Sequence, residues 1–257
     1  MSAFSDRITP LIITFNEEAN IARTLAPLGW AREILVIDSG STDRTLEILA
    51  RDPRIRVVTR TFDSFAGQCN FGLEQVRTEW ALSLDADYQL SPELTAEIAA
   101  LDPGADVAGY SAAFVYCVFG RPLRSTLYPP RTVLYRRACA RYRDVGHGHK
   151  VDIEGVVQPL AAKIRHDDRK PTRRWFTSQI GYVAREADYI VSLPPERRSR
   201  LQKLRMMAWP APLIMVFYTL FWRGYVLDGR AGLYYSLQRV LAELMLAVEI
   251  ADRRLRG

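Results

Sequence analysis

Cysteine is scarce in this sequence: three residues in 257, at positions 69, 117 and 139. Few, distant and odd in number, they exclude a disulfide framework and a close-spaced zinc site, and they fit a reducing, cytosolic setting. No internal repeat or low-complexity stretch is present, which excludes a repeat array. Residues 1–10 lack a basic segment followed by an apolar run, so no secretion signal is expected. A clean membrane span is missing too. Residues 206–222 carry no charge between Arg205 and Arg223, but the length is at the lower limit for a bilayer and Pro210 and Pro212 break the first turns. The expectation there is a broken helix or a shallow insertion.

What is present is the composition of an ordered protein, 48% hydrophobic and 25% charged. The length suffices for one domain with a substantial core and a helical appendix, divided here as 1–170 and 171–257. A net charge of +6 and a pI near 9.3 point to an anionic partner: nucleic acid, acidic lipid or a phosphorylated substrate.

Four short apolar runs, at 11–14, 34–37, 55–58 and 81–84, are bounded by polar or turn-forming residues, the pattern of strands buried on both faces. Helical stretches separate them. Ser41 and Thr42 are cap-type residues ahead of Leu46, Ile48 and Leu49, and Ser91-Pro92 opens a helix to Leu101. Strand and helix in alternation imply an α/β, doubly wound, mostly parallel sheet. Residues 107–118 and 132–136, rich in β-branched and aromatic side chains around a turn at Gly120 and Pro122, predict a mixed, partly antiparallel extension. From Arg173 the period becomes helical, with Phe176, Ile180, Val183, Ala187 and Ile190 on one face. A last amphipathic helix carries Leu237, Leu241, Leu244 and Val248 on one stripe, with Arg239, Glu243 and Glu249 elsewhere.

Three loops follow successive strands and open at one edge. Asp85-Ala86-Asp87 places two carboxylates at a strand's C-terminal end, where open α/β sheets bind ligands and where Mg²⁺ or Mn²⁺ can bridge phosphates. Asp38-Ser39-Gly40-Ser41-Thr42-Asp43 offers a tight turn with backbone N–H groups for an anion or a ribose hydroxyl. Thr14-Phe15-Asn16-Glu17-Glu18 offers an aromatic to stack on a base. The bland readings are a solvated turn, an ordinary capped loop and a buried aromatic.

Together with Phe65-Ala66-Gly67-Gln68-Cys69-Asn70, these motifs resemble those of family 2 glycosyltransferases, in the subgroup of lipopolysaccharide core glucosyltransferases. The resemblance is dense from about residue 10 to 101, with His166 and Asp228-Gly229-Arg230-Ala231-Gly232 as later features. It implies a GT-A, Rossmann-like fold and a nucleotide-sugar pocket. Thr14, Phe15 and Glu17 would line the nucleoside site, Asp38 would contact base or ribose, and Gln68 would lie near the diphosphate. Asp85 and Asp87 fill the metal position, Asp87 as the more direct ligand, with His166 as a further ligand. Tyr88 stands where many members have Glu, and Cys69 where they have Arg. For the base that an inverting transfer needs, relatives often show a His-Glu pair; here the segment is Gly146-His147-Gly148-His149-Lys150. Counted back from Gly155, His149 falls at the Glu position, with Asp144, Asp152 and Glu154 as competitors.

The function implied is inverting transfer of a sugar from a nucleotide diphosphate, a UDP-sugar, to a lipid-linked or lipopolysaccharide-type acceptor, with the chain resting on the cytoplasmic face of the inner membrane as a peripheral or monotopic protein. Basic runs at 169–174 and 197–205 beside the apolar segment support membrane contact, and equally fit a non-catalytic membrane-surface adaptor. A nucleotidyltransferase is disfavoured because residues 11–20 contain no Gly, Lys or Arg for a triphosphate loop. No nucleic-acid motif accompanies the basic residues.

Overall fold

Each apolar run becomes a strand in the computed structural model, which describes residues 4–146 and 148–256. In chain order the strands are β1 (Ile8–Thr14), β2 (Ile34–Asp38), β3 (Ile55–Thr59), β4 (Trp80–Asp85), β5 (Tyr88–Leu90), β6 (Val107–Val118), β7 (Arg121–Pro122), β8 (Arg131–Arg136), β9 (Ala140–Val145), β10 (Gly148–Ile153) and β11 (Val156–His166). The helices are α1 (Ile21–Leu25), α2 (Thr45–Leu49), α3 (Phe65–Gln75), α4 (Pro92–Ala100), α5 (Thr172–Ser192), α6 (Arg200–Met206), α7 (Pro210–Phe217) and α8 (Gly229–Arg256). They fall into two compact units: Met1–Gly120, Leu127–Asp144 and His149–Arg169 in one, and Arg121–Thr126, Val145–Gly148 and Lys170–Gly257 in the other.

In the first unit β3, β2, β1 and β4 pair in parallel, and β8 then runs antiparallel between β4 and β6. The path continues through β11, parallel to β6, and ends at β5, antiparallel to β11. Only two residues separate β4 from β5, yet three strands lie between them in the sheet order. Three Cα steps reach at most about 11 Å. Four interstrand spacings in a flat sheet would be about 19 Å. The mixed sheet therefore curls, and the curl brings the end of β11 to the Asp85-Ala86-Asp87 turn.

Both faces of the parallel half are buried, as strand alternation requires. Ile12, Ile34, Val36, Trp80, Leu82 and Leu84 pack on one side with Leu94 and Ile98 of α4. Leu11, Leu35, Ile37 and Ala81 pack on the other with Ala66, Cys69 and Leu73 of α3. Each fully buried aliphatic side chain contributes about 1.5 to 3 kcal/mol. Helix α3 lies close to the sheet: a Cβ added at Gly72 would meet Leu11 Cδ1 at 2.7 Å and Ile37 Cγ1 at 3.1 Å. Strand β3 departs from the expected two-face burial, because it is the sheet edge and none of its side chains is fully buried. Ser91 caps α4 as expected, accepting from Leu94 N at 3.2 Å. Helix α2 starts later than its sequence suggested, at Thr45, with no side-chain cap.

The helical unit corrects two further expectations. On α5 the C-terminal part of the apolar stripe is buried, at Val183, Ala187 and Ile190, while Phe176 and Ile180 are exposed. On α8 the buried residues include Tyr235, Ala242, Glu243, Leu246 and Ile250, whereas Leu237, Leu244 and Val248 face solvent. Glu243, expected on the polar face, is buried because Arg205 reaches it with two donors and also meets Glu186 at 3.2 Å, joining α6, α8 and α5. The uncharged segment is broken as expected, but ahead of Pro210 and Pro212, which lie in the first turn of a new helix. Helix α6 ends at Met206, Ala208 takes a positive φ of 64°, and α7 starts at Pro210 before a π-helical turn over Tyr218–Trp222. Among the described residues no helix is long and apolar enough to cross a membrane.

Candidate functional site

Strand register sets the site. Thr14 lies opposite Asp38, and Ile13 opposite Asp85, so the ends of β2, β1 and β4 are level and their loops share one edge of the sheet. This is the crevice position for ligands in open α/β sheets.

The loops after β1 and β2 are stapled together. Asn16, at a positive φ of 55°, accepts through Oδ1 from Thr42 N at 2.6 Å and Asp43 N at 3.2 Å, while its own N–H donates to Ser41 Oγ at 2.8 Å. Asp38 is fully buried and accepts from Gly40 N and Ser41 N, each at 2.9 Å. The backbone donors expected to be open to an anion at Ser41 and Thr42 are thus taken by side chains of the same two loops. Gln68 is similarly engaged, donating to Ser39 Oγ and to the Arg60 carbonyl at 2.9 Å each. In this geometry Asp38 and Gln68 shape the loops. Thr14 Oγ1 is buried without a hydrogen-bond partner among the described residues, and Phe15 is half exposed rather than the buried aromatic of the bland reading. Glu17 is buried and accepts from Asn20 Nδ2 at 2.8 Å.

Asp87 and His166 meet. His166 Nε2 lies 3.2 Å from Asp87 Oδ2, on a ring buried among Tyr88, Tyr116 and Tyr128. Burial alone would lower the His166 pKa; the charge and hydrogen bond of Asp87, with Asp85 and Asp168 behind, outweigh it and raise the pKa. Asp85 faces Arg131 at 3.9 Å. Among the described residues no three His, Cys, Asp or Glu side chains converge as a ready-made metal cage. The donor chemistry nonetheless suits a hard divalent ion: Mg²⁺-type sites use one or two carboxylates and complete the shell with substrate phosphates and water. Asp87, Asp85 and His166 are the residues that would hold it.

His149 is placed on β10, not in a loop, with its ring 5.6 Å from Phe65 and 5.4 Å from Tyr142. Its pKa is lowered by burial and by Arg131, against the opposing charges of Asp85 and Asp144. It therefore lies within the field of the Asp85 carboxylate. His147 lies outside the described residues. Glu154 is not brought to this edge. Its N–H bonds the Cys139 carbonyl at 2.9 Å, and Arg137 N bonds the Glu79 carbonyl at the start of β4, the end opposite Asp85. Asp152 pairs with Arg143 at 2.6 Å and Asp144 accepts from Ala66 N at 3.0 Å.

Sequence reasoning missed Arg131 and a buried ionic node. Arg131 stands over the Tyr128 ring at 5.2 Å; burial works against its charge, but Tyr88, Asp85 and Tyr128 raise its pKa. Asp167 accepts from Arg23 Nη1, Arg169 Nε and Gly120 N, each at 2.9 Å, and its own N–H donates to the Asp87 carbonyl at 3.2 Å. Asn20 adds a bond to Asp168 Oδ1 at 2.9 Å, and Thr24 Oγ1 donates to the Ala86 carbonyl at 2.6 Å. The segment after β1, the metal-motif turn and the end of β11 are one network. Of this network only the Asp85-Ala86-Asp87 turn and the segment after β1 were named from the sequence. Cys69 is buried with its thiol pKa pushed up, so it supplies no thiolate.

Known proteins resemble this chain in sequence. The profile of glycosyl transferase family 2 matches residues 10–153, more than half of the chain. A Rickettsia bellii (strain RML369-C) protein described as an uncharacterized glycosyltransferase is 39% identical over 93 residues, 36% of this chain and 31% of that protein. A lipopolysaccharide core biosynthesis glycosyltransferase of Rhizobium meliloti (strain 1021) is 36% identical over 92 residues, 34% of each. The matches thus span about a third of the length of these curated relatives. Among solved structures, S. aureus TarS in complex with UDP-GlcNAc covers 98% of this chain and 92% of that one, at 14% identity and a TM-score of 0.48. With the strand-end loops and His149 all inside the matched stretch, the chain belongs to glycosyl transferase family 2.

Proposed function

We propose that the chain is an inverting glycosyltransferase that moves a sugar from a nucleotide diphosphate donor, a UDP-sugar, to a hydroxyl of a lipid-linked or lipopolysaccharide-core glycan at the cytoplasmic face of the inner membrane. The observation that carries this reading is the gathering at one sheet edge of Thr14 and Phe15, the Asp85–Asp87–His166 carboxylates and imidazole, and the depressed base His149. Phe15 offers a stacking face to the base, and the buried Thr14 hydroxyl a polar partner. His149 takes the proton of the acceptor hydroxyl as its oxygen bonds the anomeric carbon from the face opposite the diphosphate; the bond to the phosphate oxygen breaks, and the electron pair leaves with the nucleotide. Mg²⁺ or Mn²⁺ held by Asp87, Asp85 and His166 would neutralise charge on that diphosphate. Arg131 presents a fixed cation beside the same carboxylates.

The acceptor class is supported by the relatives' names. One acts in lipopolysaccharide core biosynthesis, and another, from Edwardsiella ictaluri (strain 93-146), is an undecaprenyl-phosphate 4-deoxy-4-formamido-L-arabinose transferase, 33% identical over 116 residues. The non-catalytic adaptor reading gives the buried Asp87–His166 contact no role.

The test is a panel of nucleotide sugars screened for thermal stabilisation with and without Mn²⁺, since a donor bound only by the native state raises stability with the logarithm of its concentration over its Kd. A UDP-sugar should stabilise the chain, more so with Mn²⁺. Asp87→Asn should remove that Mn²⁺ increment and on the order of 10²-fold or more of transfer, with little change in unliganded stability. A panel in which no nucleotide sugar stabilises the chain, or an Asp87→Asn enzyme with wild-type turnover, would overturn the assignment.

A further inference from the structure

The helical unit exposes far more apolar surface than its folding uses. Helix α7 and the turn after it show Leu213, Ile214, Phe217, Phe221 and Trp222 to solvent, the last at 81% exposure. Val226 and Leu227 follow, the latter at 69%. On α8, which packs against α7, Leu233, Leu237, Leu244 and Val248 form a second exposed row. Their spacing of four, seven and four residues keeps them on one face over roughly 22 Å of helix. The opposite face, through Tyr235, Ala242, Leu246 and Ile250, is the one buried in the unit. Single exposed apolar residues are ordinary; rows of them on two packed helices mark a contact surface.

Charge chooses the partner. Residues 170–257 contain 15 Lys and Arg against 7 Asp and Glu, an excess larger than that of the whole chain at +6, so the rest of the protein is net acidic. In the same unit a groove of about 470 Å³ sets Arg198, Lys203 and Arg254 beside Met206 and Met207, with Glu196 as its one acid. A second copy of the chain would bring two such basic units together. An anionic lipid surface complements them, and Trp, Phe and Leu flanked by Arg and Lys are the side chains that settle at a bilayer's headgroup boundary.

We infer that the exposed face of α7 and α8 seats in the headgroup and upper acyl layer of an anionic bilayer, with Phe217, Phe221 and Trp222 inserted and no helix crossing. This deepens the transferase reading, on which it rests for the lipid-linked acceptor, by naming the surface that holds the enzyme among its acceptors.

The experiment uses the full chain with sedimented vesicles of phosphatidylcholine alone or mixed with phosphatidylglycerol, alongside UDP-sugar stabilisation and sedimentation equilibrium. Wild type should bind the anionic vesicles, retain part of that binding at high salt, and bind neutral ones weakly. Phe217→Ser/Trp222→Ser, two exposed positions, should lower partitioning at least about tenfold while leaving UDP-sugar stabilisation intact. Wild type that stays in the supernatant at low salt, or a double variant that binds as wild type does, overturns the inference. So does a wild-type dimer that the double variant splits, since the face would then belong to a second copy. Donor stabilisation without vesicle binding would sink the membrane face and leave the transferase standing; vesicle binding without any donor would do the reverse.

Discussion

The two units break opposite rules of protein surfaces. The sheet unit buries polar groups: Asp38, Gln68, Asn20, Glu17, His166 and Asp167 are all nearly inaccessible. The helical unit exposes apolar ones, from Leu213 to Val248. Burying polar groups costs free energy unless they find partners; the strand-end loops satisfy Asp38, Gln68 and Asp167 several times over and leave Thr14 Oγ1 without one among the described residues. Exposing apolar rows is tolerated where something else covers them. The comparison teaches that departures from local rules collect in two separate places, as functional surfaces do. On the proposed reading, polar burial marks the chemistry and apolar exposure the docking. If that division holds, substitutions in one unit should leave the other's readout untouched.

The largest effect that can break this division belongs to His149. His149→Ala should lower transfer by about 10²- to 10⁴-fold, the usual range for a general base, while donor stabilisation and vesicle binding persist. The pH dependence adds a sign. Burial lowers the His149 pKa, so the ring stays neutral somewhat below the ordinary histidine range near 6.5. The wild-type rate should be flat above that range and fall only as pH drops through the lowered pKa. The same shift destabilises the folded state on the acid side, because below about 6.5 the unfolded chain binds the proton more readily. A His149→Ala enzyme with wild-type rate and the same acid limb would pass the base role to another group.

How far the sequence foretold all this follows the same division. Strands β1, β2 and β4, the Ser91 cap and the common edge of the three loops were legible, because buried strands and cap residues carry local patterns. The edge exposure of β3 was not, since edge position depends on pairing partners. Which stripe of α8 turns inward was not either, because both stripes are apolar and only tertiary packing selects one. Arg131, Arg23 and Asp167 lie far apart in the chain and carry no motif; it is the curl of the sheet that brings the Asp87 turn to the end of β11. The placement of Glu154 away from the Asp85 edge was hidden for a related reason: counting residues cannot tell which end of a sheet a hairpin returns to.

A middling effect tests whether polar burial in the sheet unit is structural as well as chemical. Asp167→Ala removes the acceptor of Arg23, Arg169 and Gly120 and leaves the Arg23 guanidinium partly buried without its partner. With Arg23 only partly enclosed, the loss should be about 2 to 3 kcal/mol, below the figure for a fully buried pair, as measured by urea unfolding. Transfer should fall too, because the Asp167 carboxylate anchors, through Arg23, Arg169 and Gly120, the segment whose backbone N–H holds the Asp87 carbonyl. Asp167→Asn, which keeps an acceptor for Gly120, should recover part of the stability but less of the transfer. Equal stability in all three forms would remove the node from the account of the site.

The smallest effect is the sharpest on the division itself, because Phe15 is an apolar exposure at the ligand edge of the polar unit. Half exposed at the end of β1, it resembles the residues of α7 more than its own neighbours. If its role is to stack on a base, Phe15→Ala should weaken donor binding by roughly 1 to 2 kcal/mol, about five- to thirtyfold in Kd. Phe15→Tyr should restore it, since the stacking face is kept. Vesicle binding should not move in either variant. A Phe15→Ala chain that keeps its donor affinity but loses vesicle binding would make this ring part of the docking surface, and apolar exposure would then mean the same thing in both units.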